Sequence, residues 1–228
     1  MYSVIIVAAG KGSRLNLGYN KVFYEINHKT VLEYSVDYFV KDPDFSEIII
    51  VTSEKDLNHM KNLFTGKNIK ITLGGITRQE SVYNGLKKVT NKYVMIHDGA
   101  RPFIDKTDIE NLKLAVRDSA CVLAKKLKES IAKHSFNKLN SYVNRDNYVL
   151  LQTPQAFATS KIINAYEKAI KNENSYSDDA SLYMQELHED VIIIDGNELN
   201  IKLTTELDIK ILEAILWSRL DFLRTYTP

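Results

Sequence analysis

The residues best equipped for chemistry in this chain are cations set beside glycines. Arg14 and Lys21 follow the run Ala8-Ala9-Gly10-Lys11-Gly12, which is itself preceded by the β-branched stretch Val4-Ile5-Ile6-Val7. Small residues let backbone N–H groups close on an anion, and two full cations add charge that a helix N-terminus alone lacks. The combination suits a highly charged ligand, such as a nucleoside triphosphate that sheds pyrophosphate. It is not a Walker loop, because the G-x-x-x-x-G-K-[ST] spacing is absent. Nor is it a Rossmann fingerprint, because Leu15 stands where the third glycine belongs. Taken alone, such a turn can equally do no more than join a strand to a helix.

Two further stretches repeat the logic. In Gly74-Gly75-Ile76-Thr77-Arg78-Gln79-Glu80-Ser81, paired glycines lead into a helix whose first turn carries Arg78 and Ser81 as neighbours. In Met95-Ile-His-Asp-Gly-Ala-Arg-Pro-Phe103, an apolar strand delivers Asp98, with Arg101 three residues on. Ligands of open α/β sheets bind beyond the carboxyl ends of the strands, where an acid can meet a ribose hydroxyl or a metal ion. A structural ion pair between Asp98 and Arg101 is the plainer alternative. No Ser/His/Asp or Cys/His constellation accompanies these residues. His97 is expected to satisfy a hydrogen bond at the end of a buried strand, and Cys121, in the run Ala-Cys-Val-Leu-Ala, to be a buried thiol.

The elements that must hold these groups alternate along the chain. Continuous apolar runs predict strands at Ser3–Ala8, Glu47–Thr52, Ile69–Leu73, Tyr93–His97, Ala120–Ala124, Val191–Asp195 and Asn200–Leu203, each covered on both faces. Helices are expected after Thr30 and Thr107, whose spacing to Glu33 and Glu110 fits a capping box. Others are expected over Lys55–Phe64, Arg78–Lys88, Ser160–Lys171 and Thr205–Leu220. The pattern predicts an α/β fold: one domain over residues 1–228, Rossmann-like, with a mostly parallel sheet and helices on both faces. Residues Ala132–Leu151 break the rhythm and read either as a protruding β-arm or as a surface loop.

Composition narrows the function. The 228 residues are 44% hydrophobic and 26% charged, with a formal net charge of +1. No global field recruits nucleic acid or an anionic membrane. A single cysteine excludes an intrachain disulfide, and no apolar run spans a bilayer. The cytoplasm is the expected compartment.

Six stretches in order carry a resemblance: AAGKGSR from Ala8, GG-x-x-R-x-x-S-V from Gly74, HDGARPF from His97, QTPQAF from Gln152, SDDAS from Ser177 and NIKLTT from Asn200. Together the chain resembles the 2-C-methyl-D-erythritol 4-phosphate cytidylyltransferases of the non-mevalonate isoprenoid pathway, over residues 2 to about 215. The resemblance implies transfer of CMP from CTP to the sugar-alcohol phosphate, with Mg2+ as cofactor. It implies that Ala8, Ala9, Gly10 and Gly12 hold the nucleotide while Arg14 and Lys21 grip the triphosphate. Gly74, Gly75 and Ser81, with Arg78 beside them, would read the cytosine, and Asp98 would stand near the ribose and the metal. Lys202 would act on the α-phosphate side, and Arg101, Ser130, Arg145 and Thr153 would hold the second substrate. The segment 132–151 would be an arm that crosses to a second subunit, making a homodimer in which Arg145 serves its partner's site.

The chain departs from the family pattern in places. Asn20-Lys21-Val22 replaces Pro-Lys-Gln, and Lys126-Leu-Lys-Glu-Ser-Ile131 replaces PVKDTI, with Glu129 for Asp and Ser130 for Thr. Two rivals remain. Ribitol 5-phosphate cytidylyltransferases share the chemistry; for them AGG in the first loop and a β-branched residue before the arginine of HD-x-x-R are expected, whereas this chain has Ala8-Ala9-Gly10 and Ala100. An NAD(P)-dependent oxidoreductase would need the third glycine and a Tyr-x-x-x-Lys pair, which Tyr24, Tyr34, Tyr83 and Tyr93 are not expected to form.

Overall fold

The computed structural model describes residues 1–10 and 12–226, without the side chains of Ser13 and of 219–226. Lys11, inside the first loop, lies outside the described residues. The first half of the chain runs β1 (Tyr2–Val7), β2 (Glu25–Ile26), β3 (Lys29–Thr30), α1 (Val31–Lys41), β4 (Phe45–Thr52), α2 (Leu57–Leu63), β5 (Lys70–Leu73), α3 (Arg78–Leu86) and β6 (Tyr93–Asp98). The second half continues α4 (Lys106–Ala115), β7 (Cys121–Lys126), β8 (Ile131–Ser135), β9 (Lys138–Val143), β10 (Val149–Ala158), α5 (Thr159–Lys171), α6 (Asp179–Leu187), β11 (Ile192–Asp195) and α7 (Glu206–Tyr226).

Seven strands form one sheet in the order β11-β7-β10-β6-β1-β4-β5, and β10 runs antiparallel to both of its neighbours. The alternation along β1 shows how the layers are covered. Val4 and Ile6 enter a cluster with Val36 and Phe39 of α1, Leu112 of α4 and Leu212 of α7. Ile5 points the other way, into a cluster with Val82 of α3, Ile162 of α5 and Leu182 of α6. Helices therefore cover both faces, and the chain is a single α/β domain as the sequence predicts.

The capping box at Thr30 forms: its hydroxyl accepts from the Glu33 N–H at 3.1 Å and the Glu33 carboxylate accepts from the Thr30 N–H at 2.9 Å. The one expected at Thr107 does not. Asp105 caps α4 instead, its carboxylate accepting from the Thr107 N–H at 2.7 Å, so the helix starts at Lys106 and Thr107 lies inside its first turn.

Two other expectations are corrected. Asn200–Leu203 is not a strand but a loop laid across the sheet end, held where the Leu203 N–H donates to the Ala100 carbonyl at 2.9 Å. β11 is an edge strand rather than a covered one, so Ile192 and Ile193 stay 43% and 53% exposed. β10 and α6 pass unread in the sequence. The inner half of β10 is polar (Gln152, Thr153, Gln155), and its pairing with β7 is interrupted between Leu151 and Gln155, across Pro154.

Residues 131–143 are a hairpin standing outside the main sheet, turned at Phe136 and Asn137 with φ of 48° and 60°. Residues 149–151, assigned to the arm from sequence, pair with Ala124–Lys126 and belong to the central sheet. No helix among the described residues is long and apolar enough to cross a membrane.

Candidate active site

Parallel pairing sets Val7 opposite both Val51 and Asp98, and Thr52 opposite Leu73. The loops after β1, β5 and β6 therefore leave the sheet at one end, which gathers residues that are dozens of positions apart. Ala8, half-exposed Ala9 and exposed Gly10 begin the first loop. Gly12 has φ of 64°, a conformation that favours glycine, and a Cβ there would lie 3.1 Å from the Lys21 nitrogen. Arg14 is exposed on the short 3-10 turn that follows.

The Gly74-Gly75 turn packs against that loop. A Cβ on Gly74 would lie 2.6 Å from Ser81 Oγ and 2.8 Å from Ala9 Cβ, so only glycine permits the approach. Ser81 Oγ donates to the Thr77 carbonyl at 2.8 Å and accepts from the Gly75 N–H at 3.1 Å. Its hydroxyl shapes the turn.

Asp98 is the hub. Lys202 Nζ sits 2.8 Å from its carboxylate, while Arg78 Nη2 and Arg101 Nε each stand at 3.6 Å. Burial opposes the charge, but Arg78, Lys202 and Arg101 outweigh it and hold the Asp98 carboxyl well below the usual carboxylate range. Arg101 also donates from Nη1 to the Asn200 carbonyl at 2.8 Å, so the ion pair with Asp98 is one of two anchors. Lys21 shows the opposite electrostatics. Burial, with Lys202 and Arg14 nearby, lowers its ammonium to about 8, although that ammonium donates to the Leu203 carbonyl.

The remaining residues divide. Thr153 is buried with its hydroxyl engaged, accepting from the Asp98 N–H at 3.0 Å and meeting His97 Nδ1 at 3.1 Å. His97 Nε2 lies 3.1 Å from the Arg101 carbonyl, and burial depresses the imidazole to about 4, so the ring is neutral and structural. Ser130 is exposed between β7 and β8. Arg145 is exposed at the foot of the hairpin, donating to the Lys128 carbonyl, and neither touches Asp98. Cys121 is fully buried, its thiol pushed up to about 12 by burial alone.

Sequence reasoning missed three contributors. Asn20, noted only as a departure, donates to the Ala8 carbonyl at 2.7 Å and to Asp56 at 3.0 Å, and accepts from the Val22 N–H at 3.3 Å. Asn200 donates to the Thr153 carbonyl at 2.8 Å. Asp179, inside a stretch quoted for resemblance alone, grips Arg78 from the N-terminus of α6. The expectation that Tyr83 lacks a lysine four residues on is corrected, since Lys87 stands there. It serves no hydride site, for the Lys87 ammonium lies over the Tyr83 ring at 4.2 Å on α3.

Among the described residues no group of three or more His, Cys, Asp or Glu side chains could hold a metal ion. Lys202 and Arg101 pair with Asp98 Oδ2, so Oδ1 is the oxygen that could meet a hard cation of the kind that takes one protein carboxylate and completes its shell with phosphate oxygens and water.

A family model described as IspD, 2-C-methyl-D-erythritol 4-phosphate cytidylyltransferase, matches residues 2–218. Proteins of that name from Clostridioides difficile strain 630 and Halalkalibacterium halodurans are 39% and 38% identical to this chain, covering 95% and 94% of it and 94% and 96% of themselves. The crystal structure of 4-diphosphocytidyl-2C-methyl-D-erythritol synthase from Anaerococcus prevotii superposes with a TM-score of 0.84 at 32% identity, over 95% of this chain and 96% of that one. That of 2-C-methyl-D-erythritol 4-phosphate cytidylyltransferase from Thermus thermophilus gives 0.80 at 28%, over 93% and 97%. With the strand-end cluster already in view, the match over nearly the whole length settles the family: this chain belongs to the 2-C-methyl-D-erythritol 4-phosphate cytidylyltransferases.

Proposed function

We propose that this chain transfers the cytidylyl group of CTP to 2-C-methyl-D-erythritol 4-phosphate, releasing pyrophosphate, as a step of isoprenoid biosynthesis. The observation that carries this reading is the cationic cluster at the strand ends, where Lys202, Arg78 and Arg101 stand 2.8–3.6 Å from Asp98 and Lys21 lies beside them, its ammonium lowered by burial first and then by Lys202 and Arg14. Cations that repel one another in this way are relieved by a bound polyanion.

The acceptor phosphate needs no general base, since a phosphate monoester has its second pKa near ~6 and is largely ionised at neutral pH. Its oxygen forms a bond to the α-phosphorus while the bond to the bridging oxygen breaks in line, and that oxygen leaves with pyrophosphate. Catalysis is then positioning and charge neutralisation. Arg14 and Lys21 hold the β- and γ-phosphates, and Lys202 meets the charge developing at the α-phosphate. The Gly74-Gly75 turn, held by Ser81 and entering the helix that carries Arg78, takes the cytosine. Asp98 orients the ribose and is the carboxylate that would hold Mg2+, which when bound would neutralise triphosphate oxygens. Arg101, Ser130, Arg145 and Thr153 line or support the acceptor side.

The hairpin is the basis for a homodimer. Phe136, Leu139 and Tyr142 are 98%, 67% and 77% exposed on a two-stranded element, and an isolated hairpin is marginal in water. Packing against a second copy would cover them and present Arg145 to the partner's site. The CTP requirement and the free, buried Cys121 support a cytoplasmic location.

The test is phosphorus NMR of a mixture of protein, MgCl2, CTP and methylerythritol 4-phosphate. The monoester resonance should be replaced by a diphosphate-bridge pair together with free pyrophosphate. An unchanged spectrum contradicts the proposal.

A further inference from the structure

The Arg78 guanidinium presents its two terminal nitrogens to the two oxygens of Asp179, at 3.1 and 2.8 Å. Asp179 is fully buried and also accepts from the Tyr166 hydroxyl at 2.5 Å. The next residue, Ala180, donates its N–H to Gln155 of β10 at 2.8 Å, so the start of α6 is tied to the central sheet. The same Nη2 that meets Asp179 stands 3.6 Å from Asp98, beyond hydrogen-bond distance.

An arginine that close to a carboxylate would ordinarily turn its fork onto it, because the two-pronged pair is the stronger arrangement. Here the fork is already taken. We infer that Asp179 is a positioning residue that holds Arg78 back from Asp98, so that Oδ1, the oxygen Arg78 faces while Lys202 and Arg101 pair with Oδ2, is left for a ribose hydroxyl or a metal ion. The inference rests on the assignment of Asp98 to the nucleotide side of the reaction. It also gives the SDDAS stretch a physical role. Asp178 caps α6 through the Ser181 N–H at 2.7 Å, and Asp179 restrains the arginine.

Asp179→Asn removes the charge that holds the fork and keeps the shape. Arg78 is then free to close on Asp98, competing with the nucleotide. Tyr166→Phe disturbs the same buried cluster but leaves both Arg78–Asp179 contacts in place, and so reports any merely structural effect. All proteins are assayed with Mg2+, CTP and methylerythritol 4-phosphate below the melting temperature of the weakest variant, with CTP binding measured separately by calorimetry.

For Asp179→Asn the expected result is a rise of about tenfold in both the KM and the Kd for CTP, the size of one charged hydrogen bond, with the KM for the sugar phosphate nearly unchanged. Tyr166→Phe should lower the melting temperature and leave the KM for CTP within about twofold. A folded Asp179→Asn protein with wild-type KM and Kd for CTP overturns the inference, as does an equal loss in Tyr166→Phe. Failure of the wild-type protein to turn over would count against the cytidylyltransferase reading, while calorimetry would still judge Asp179.

Discussion

Lys202 Nζ lies 2.8 Å from Asp98 Oδ2, joining the loop before α7 to the end of β6 across 104 positions of sequence. One side chain thereby pairs with the acid and, in the proposed reaction, meets the α-phosphate. Lys202→Met should therefore lower kcat by about a hundredfold, the ~3 kcal/mol typical of removing a donor that stabilises transition-state charge. Steady-state kinetics check it, and a change confined to KM would contradict the role.

Lys21 makes the reaction pH-dependent in a defined direction. Its folded value near 8 lies below the ordinary 10.5. The unfolded chain thus binds more protons between those values, and this group's contribution to stability rises as pH increases through the window. A bound triphosphate reverses the shift by favouring the ammonium. CTP affinity should fall as pH rises through about 8, and the melting-temperature gain from CTP should shrink with it. Lys21→Arg, charged throughout, should move that decline to higher pH.

Asn20 ties the first loop together by touching Ala8, Val22 and Asp56 at once. Asn20→Ala leaves a buried carbonyl without its donor, a loss of about 1–3 kcal/mol. Thermal denaturation should show that loss. The KM for CTP should rise more than the KM for the sugar phosphate, because the loop positions nucleotide-binding groups.

Gly74→Ala tests the contact between the two glycine loops. The added methyl would stand under 3 Å from Ser81 Oγ and Ala9 Cβ. One loop must shift, at about 1–3 kcal/mol for an overpacked contact. Calorimetry should show weaker CTP binding, whereas retention of wild-type affinity would show that the turn stands clear of the nucleotide.

The sequence read well where one physical signal dominated. Continuous apolar runs located β1, β4, β6 and β7, and the Thr30–Glu33 spacing located α1, because burial on both faces and capping act locally. β10 stayed hidden because its buried run opens with Gln152, Thr153, Pro154 and Gln155 before it reaches Ala156 and Phe157. Burial of the polar ones is supported by partners far away in the chain, such as Asn197 for Gln152. Asp98, Arg14 and Lys21 were legible as chemistry, and Lys202 only through the family resemblance. Asn20 and Asp179 were not, since each acts through a partner, 12 and 101 positions away, that only the fold brings near.

The central claim is tested most directly by pyrophosphate release in parallel reactions containing Mg2+ and CTP with either methylerythritol 4-phosphate or ribitol 5-phosphate. The account predicts stoichiometric release with the first and none above background with the second. Release with ribitol 5-phosphate alone, or with neither compound, would contradict it.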